Sequence, residues 1–469
     1  MPRAGGQRAR SRVAVAGLVG LWIAAAPGGI SACEYVAGRY STTSAYRVPQ
    51  DGTGTLHVDA RGRISQIRWR HDPQAQPYEN QLVYRERSIG GIWTETEVGP
   101  PWDATWATLV VDSSNQPHVL LYDSELGVSH WVRDGSSFVL KDALGSASSS
   151  RPPFPSLGHV AAAIGPDDVI HVVMSDEGRG LIVYANDRGG LWQSETAAPA
   201  DTAESSYFSF DEPRFLSIAV DASGCPHITY GADFSAFVRD SKLHYANRCS
   251  GAWDDQVIQE PADGSGDGGL GASIAVAPGG AIQVAAFYVE AFASGSAQWS
   301  ALRLLTRAED GSWSSSEITR KPDKYAAGDG SIGTGFAPTL LYDDAGRTHI
   351  FFSDHASQHF PSAGSDEFAG QFRHAFFDGT WHVATLRAQS MPVQNQLIRS
   401  AVVLYGDGIG AYAFLVRHDE LAPNLSIEST TCTYEEYLPE PDASALALAA
   451  ASAVALRRAR RPRRCGVRV

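Results

Sequence analysis

The stretch Ser217-Ile-Ala-Val-Asp221-Ala-Ser-Gly224-Cys-Pro-His227-Ile-Thr-Tyr230 decides the fold. It reads as an apolar strand, a tight turn and a second apolar strand. Thr339-Leu-Leu-Tyr-Asp343 and Gly346-Arg-Thr-His349-Ile-Phe-Phe352 repeat it. Outward from these copies, the turn returns at Gly62, Asn115, Asp168, Gly224, Gly280, Gly346 and Gly408, every 53 to 66 residues. Gly, Asn and Asp tolerate a left-handed backbone at low cost, so the repeated position constrains the path of the chain.

Two further signals run in phase with the turn. A third strand follows each second one, as in Leu82-Val-Tyr84, Leu181-Ile-Val-Tyr184, Leu243-His-Tyr245 and Phe372-Arg-His-Ala-Phe376. A Gly-x-Trp element comes next, at Gly91, Gly190, Gly251, Gly311 and Gly379. Four short strands per unit, rich in Val, Ile, Tyr and Trp, are the composition of a propeller blade. The expected fold is therefore all-β, a seven-bladed β-propeller over residues 34–437. The seventh unit lacks its Gly-x-Trp. An orphan segment around Gly38-Arg-Tyr40 and Ser41–Tyr46 is expected to supply its fourth strand from the other end of the chain. Such closure removes exposed strand edges.

Residues 1–33 carry Arg3, Arg8, Arg10 and Arg12, then an apolar stretch from Val13 to Ala26, then small residues up to Cys33. This order reads as a secretory signal peptide and implies an oxidising destination. Residues 438–469 hold Pro439, Glu440 and Pro441, an apolar run from Ala443 to Leu456 and an arginine-rich terminus. That run is short for a bilayer, which asks for about 20 residues. The tail resembles the PEP-CTERM sorting signal of Gram-negative bacteria. The resemblance implies recognition by exosortase-type machinery and a membrane-associated stage at the cell surface, either transient or as a stable C-terminal anchor.

Five cysteines are present. Cys225 and Cys249 fall in alternate turns of one meander and are expected to form a disulfide. Cys33 and Cys432 would meet at the same kind of turn if the N-terminal strand closes the last unit. Ile30-Ser-Ala-Cys33 also resembles a bacterial lipobox, which implies lipidation of Cys33 instead and leaves both alternatives open.

The formal net charge is −14, and without the eleven arginines of the two terminal segments it is near −25. Such a surface repels nucleic acid and acidic polysaccharide. One acid follows or ends the second strand of every unit: Asp72, Asp123, Asp176, Asp233, Glu290, Asp354 and Asp419. A ring of carboxylates on one face suits Ca²⁺ or sugar hydroxyls, whereas scattered loop acids would simply be solvated. His118, His171, His227 and His349 share one position in their units, with Ser65, Gln283 and Ala411 in the other three. A residue repeated in this way is expected to hydrogen-bond within its own sheet rather than to bind metal.

Asp187-Arg-Gly189-Gly-Leu-Trp192 and Asp310-Gly-Ser-Trp313 resemble the Asp-box turns of sialidase-like propellers, and the whole repeat resembles the BNR-type repeats of secreted bacterial proteins. Asp-box turns are structural and imply no activity of their own. No His-Glu-x-x-His, Gly-x-Ser-x-Gly or phosphate-loop motif occurs. The leading expectation is an exported binding module for a glycan or protein. The alternatives are a polysaccharide-acting hydrolase or lyase and a structural matrix component.

Overall fold

A computed structural model describes residues 30–41, 56–59, 63–71, 80–87, 93–100, 106–123, 127–144, 157–176, 181–199, 216–232, 241–261, 266–268, 271–291, 297–322, 334–343, 345–360, 365–392, 398–405, 408–418 and 424–434. Among them the strands form seven antiparallel sheets, with one 3-10 turn at Arg188–Gly190.

Strand β1 (Ile30–Ser41) comes first in the chain. Sheet one holds β2 (Leu56–Val58), β3 (Ile64–His71), β4 (Asn80–Arg87) and β5 (Trp93–Glu97). Sheet two holds β6 (Trp106–Val111), β7 (Pro117–Asp123), β8 (Gly127–Asp134) and β9 (Ser137–Leu144). In sheet three lie β10 (Leu157–Ile164), β11 (Ile170–Asp176), β12 (Leu181–Asn186) and β13 (Gln193–Pro199). Sheet four is built from β14 (Ser217–Val220), β15 (Pro226–Ala232), β16 (Lys242–Asn247) and β17 (Asp254–Gln259). Sheet five adds a short extra strand: β18 (Gly266–Asp267), β19 (Ala272–Val276), β20 (Ile282–Ala291), β21 (Ala297–Arg307) and β22 (Trp313–Pro322). Sheet six contains β23 (Thr334–Tyr342), β24 (Thr348–Phe360), β25 (Ser365–Phe377) and β26 (Trp381–Pro392). Sheet seven contains β27 (Ile398–Tyr405), β28 (Gly408–His418) and β29 (Asn424–Tyr434), and β1 pairs with β29 as its fourth strand.

The repeated turn explains the strand boundaries. In sheets two to six a five-residue turn separates the first strand from the second. Its fourth residue has a positive φ: 63° at Asn115, 60° at Asp168, 79° at Gly224, 84° at Gly280 and 77° at Gly346. The amide of that residue donates to the carbonyl three residues back, for example Gly224 to Asp221 at 2.9 Å. The same bond forms from Gly280 to Ala277 at 2.7 Å. The left-handed residue therefore sets the turn even where no aspartate begins it.

The core is laminated between neighbouring sheets rather than gathered at one centre. Leu121 and Trp131 of sheet two pack on Ile67 and Tyr84 of sheet one. Val173 and Tyr184 of sheet three pack on Ile228 and Tyr230 of sheet four. Leu302 and Leu304 of sheet five pack on Leu340 and Ile350 of sheet six. The Gly-x-Trp tryptophans bolt these layers. Trp253 meets Tyr184 of the preceding sheet at 5.1 Å between ring centroids, and Trp313 meets Tyr245 at 5.0 Å. The indole of Trp192 donates to Asp142 of the preceding sheet at 2.8 Å, and that of Trp253 to Glu195 at 3.1 Å.

First strands touch in sequence: β2 with β6, then β10, β14, β19, β23 and β27, and β27 touches β2 again. The strand that pairs with β29 is Ile30–Ser41, which begins earlier than the Gly38–Tyr46 segment expected from sequence. Cys33 and Cys432 are opposite each other within this ladder rather than at a turn. No helix among the described residues is long and apolar enough to cross a membrane. The apolar run from Ala443 to Leu456, with Pro439, Glu440 and Pro441, lies outside the described residues, as do residues 1–29.

Candidate functional site

The antiparallel meander gives each sheet two unlike ends. The links from first to second strand and from third to fourth strand share a turn end. The second-to-third links, and those leading on to the next sheet, share the opposite, loop end. Asp123 and Asp176 are the last residues of β7 and β11, at the loop end. Glu290 stands next to last in β20, and Asp354 lies within β24. Asp72, Asp233 and Asp419 lie outside the described residues, each immediately after a second strand.

Two of these acids have defined partners. Asp354 is 1% exposed. Its Oδ2 receives Lys321 Nζ at 2.7 Å and Arg373 Nη1 at 2.6 Å, and Thr334 donates its hydroxyl to Oδ1. Lys321 comes from β22 and Asp354 from β24, so this ion pair joins sheets five and six. The Thr334 amide donates to Ser300 Oγ at 2.8 Å and strengthens the same seam. A carboxylate held by two cations would have to release both to coordinate Ca²⁺. Glu290 accepts the hydroxyl of Tyr288.

Beside them runs a ladder of cations and rings that sequence reasoning missed. The guanidinium carbon of Arg320 lies 3.7 Å from the centre of the Trp299 ring. That of Arg303 lies 5.5 Å from Trp299 and 3.4 Å from Tyr288. Trp299 and Tyr288 are 5.2 Å apart. Each contact is within reach of a cation–π attraction. Trp299 and Arg303 occupy one face of β21 by their even spacing, and this period-two spacing is the signal that could have found them. Glu290 pairs with Trp299 in register, which puts the ladder at the loop end.

The histidines serve the turn end. His118 Nε2 lies 3.4 Å from Asp112, His227 Nε2 3.4 Å from Asp221 and His349 Nε2 3.2 Å from Asp343, as the repeated spacing predicted. His171 differs because Gly165 stands in the aspartate's place. It bonds Tyr184 Oη at 2.6 Å through Nδ1, while its buried Nε2 has no protein partner. Sequence reasoning did not anticipate the third-strand partners. His118 Nδ1 meets His130 at 3.0 Å, and His349 Nδ1 meets His374 at 2.9 Å. Burial pushes His130 down to about 4 and His374 down to about 3, and also lowers His118, His227 and His349. Neutral imidazoles bridging aspartates to neighbouring rings are braces, not free bases.

Cys225 and Cys249 are joined, with Cα atoms 5.1 Å apart. The turns that resemble Asp-boxes are likewise structural. Asp187 accepts the Ile170 amide at 2.8 Å, and Asp310 accepts the Ser312 amide at 2.9 Å.

No family model and no curated protein matches this chain. Among solved structures, it is similar to the polysaccharide lyase Uly1, with 10% identity over 84% of this chain and 93% of that one, at a TM-score of 0.45. It is also similar to a PL25 ulvan lyase bound to -[GlcA(1-4)Rha3S]-, with 9% identity over 83% and 95% and a TM-score of 0.47. A third likeness is to AofleA from Arthrobotrys oligospora, with 10% identity over 77% and 91% and a TM-score of 0.43. Likenesses this faint carry neither family nor chemistry to this chain.

Proposed function

We propose that this chain is an exported seven-bladed β-propeller that binds an extracellular glycan at the loop end of its sheets. The observation that carries the reading is the contrast between the two ends. Tight five-residue turns link first and second strands in sheets two to six at one end, and the long links between sheets, such as residues 145–156 and 200–216, leave from the other. A rigid frame with its variable segments gathered at one end is the usual layout of a binding scaffold.

Closure into a ring is supported by the first-strand contacts running from β2 round to β27 and back to β2, and by β1 completing the last sheet. The glycan reading is supported by Trp299, half-buried at that end with the guanidinium groups of Arg303 and Arg320 beside it. Flat rings suit the apolar faces of pyranoses, and guanidinium forks suit their oxygens. The acidic balance of the chain favours neutral over polyanionic sugars. Export is supported by the arginine-rich and apolar segment from Arg3 to Ala26, with cleavage ahead of β1 so that Cys33 is kept, and sorting at the membrane by exosortase-type machinery is supported by the tail at Pro439–Pro441. Any assistance from Ca²⁺ rests with the acids other than the ion-paired Asp354.

The test is a glycan array probed with the exported protein, with and without chelator. The reading expects selective retention of neutral glycans and at least a tenfold loss with Trp299→Ala. Release of unsaturated or newly reducing products would replace it with a lyase or hydrolase. Absence of retention on every glycan would contradict it and leave the matrix role.

A further inference from the structure

One turn of the repeat carries chemistry that its counterparts lack. Four residues after the turn aspartate, sheet one has Arg63 and sheet six has Arg347. Each donates Nε to the second oxygen of its own aspartate, at 2.6 and 2.5 Å. Sheet two has Gln116, which donates to the Arg133 carbonyl at 2.5 Å. Sheet four has Cys225, bonded to Cys249. Asp221 Oδ2 lies 3.4 Å from His227 Nε2, which lies 3.9 Å from Cys249 Sγ. One ligand atom from each of Asp221, Cys225, His227 and Cys249 falls within 4.8 Å of all the others.

The two non-sulfur groups are already aimed. Asp221 Oδ1 accepts the Ser223 amide, the Ser223 hydroxyl and the Cys225 amide at 2.8, 2.6 and 2.9 Å, which leaves Oδ2 toward the cluster. Tyr245 Oη lies 2.7 Å from His227 Nδ1 and leaves Nε2 facing the sulfurs. Hydrogen bonds of this kind are what fix ligand orientation around a metal. A cavity of about 310 Å³, lined by Cys225, Cys249, Gly251 and Arg248, reaches the disulfide. Cys249 is exposed and His227 buried, so the cluster has an open side and a braced side.

We propose that reduction of the Cys225–Cys249 bond converts this turn into a zinc site, with both thiolates, His227 Nε2 and Asp221 Oδ2 as its four ligands. A dithiol reductant supplies two electrons and two protons. The S–S bond breaks to two thiols, and the reductant becomes its own disulfide. Zn²⁺ then displaces both thiol protons to solvent. The single imidazole proton moves to Nδ1, where it is donated to Tyr245 Oη, and Nε2 is left free to coordinate. Disulfide and metal exclude one another, because tetrahedral zinc with bonds of about 2.3 Å holds two sulfurs roughly 3.8 Å apart. Two thiolates with an imidazole and a carboxylate make a donor set that zinc accepts.

The experiment uses the full-length protein, oxidised or reduced by a phosphine that brings no competing thiol and is itself oxidised to phosphine oxide. After anaerobic desalting, Co²⁺ is titrated as a spectroscopic stand-in and then displaced by Zn²⁺. The expected result is one equivalent bound by the reduced form only, with a thiolate-to-cobalt band and the strong visible bands of tetrahedral coordination. Cys249→Ser, at an exposed position, should abolish those bands, and Asp221→Asn should weaken binding at least tenfold. Cys33, Cys432 and Cys465 persist in Cys249→Ser, so bands that survive in it belong elsewhere and overturn the proposal. It is equally overturned by a reduced protein that binds no stoichiometric metal, or by thiol counting that shows the bond resists the phosphine in the folded state.

Discussion

Cys33 and Cys432 are register partners in the antiparallel ladder between β1 and β29. One belongs to the first strand of the chain and the other to the last, so the pairing ties the N-terminal segment to the final sheet. Adjacent strands bring opposed Cα atoms to about 4.5–5.5 Å, within the range that a disulfide spans.

Asp343 organises its turn from a buried position. It accepts the Arg347 amide at 2.8 Å, Arg347 Nε at 2.5 Å and His349 Nε2 at 3.2 Å. Asp343→Ala leaves these donors unmatched and should cost about 2–4 kcal/mol in urea unfolding. The corresponding change at exposed Asp310 should leave the midpoint nearly unmoved. Equal losses at both positions would mean that the aspartate–histidine brace adds nothing.

Acid should loosen the fold well above the carboxylate range. Burial keeps His374 neutral down to about 3 and His130 down to about 4, whereas unfolded histidine titrates near 6.5. Above that value both states are neutral and these groups contribute no slope. As pH falls below it, the unfolded chain gains protons that the native sheets refuse, and stability drops. Each group loses on the order of 2 kcal/mol between pH 6.5 and 5. Burial pushes the Asp343 carboxyl up, but hydrogen bonds from Arg347 and His349 outweigh it, so the carboxyl is held low and adds a further loss in stronger acid. Unfolding free energies at pH 7.5, 6 and 5 test the sign, and His374→Gln should flatten the slope by about one proton. Stability that rises toward pH 5 would contradict the account.

Positive-φ positions differ in what a side chain would meet. At Gly335, with φ of 97°, a Cβ would fall 2.8 Å from the Leu302 backbone, which cannot yield. Gly335→Ala should cost about 3 kcal/mol by thermal or urea melts. At Gly280, with φ of 84°, nothing lies within 4 Å, so alanine should cost only the backbone strain of about 1–2 kcal/mol. Asn115→Gly should be neutral or slightly stabilising. A Gly335→Ala protein as stable as Gly280→Ala would remove the close approach of sheets five and six.

Asp354 tests the division between structural and ligand-facing acids. Asp354→Asn leaves Lys321 and Arg373 without their shared anion, and about 3 kcal/mol should be lost. The loss should be the same in calcium and in chelator. A loss that appears only with calcium would make Asp354 a cation ligand.

The sequence made the repeat legible because the left-handed residue and the flanking apolar strands are local. Ser217–Val220 and Pro226–Ala232 are read directly from composition. The N-terminal strand was read with too late a start, since Ile30–Cys33 falls at the end of the segment that reads as an export signal. Strand β18 was missed because Gly266–Asp267 has no apolar content to announce it. At the turn end, the bond from His349 to Asp343 could be foreseen from a fixed spacing, but its partner His374 lies 25 residues away and meets it only across the ladder. At the loop end, a row of acids was visible one by one. The cations that engage Asp354 come from β22 and β25, which no local pattern connects to it.

Non-reducing peptide mapping of the exported protein tests the ring most directly. The account predicts a peptide in which Cys33 is joined to Cys432, alongside the Cys225–Cys249 pair. Cys33 carrying a lipid, or Cys33 and Cys432 both recovered as free thiols, would contradict a last sheet sewn shut by the first strand of the chain.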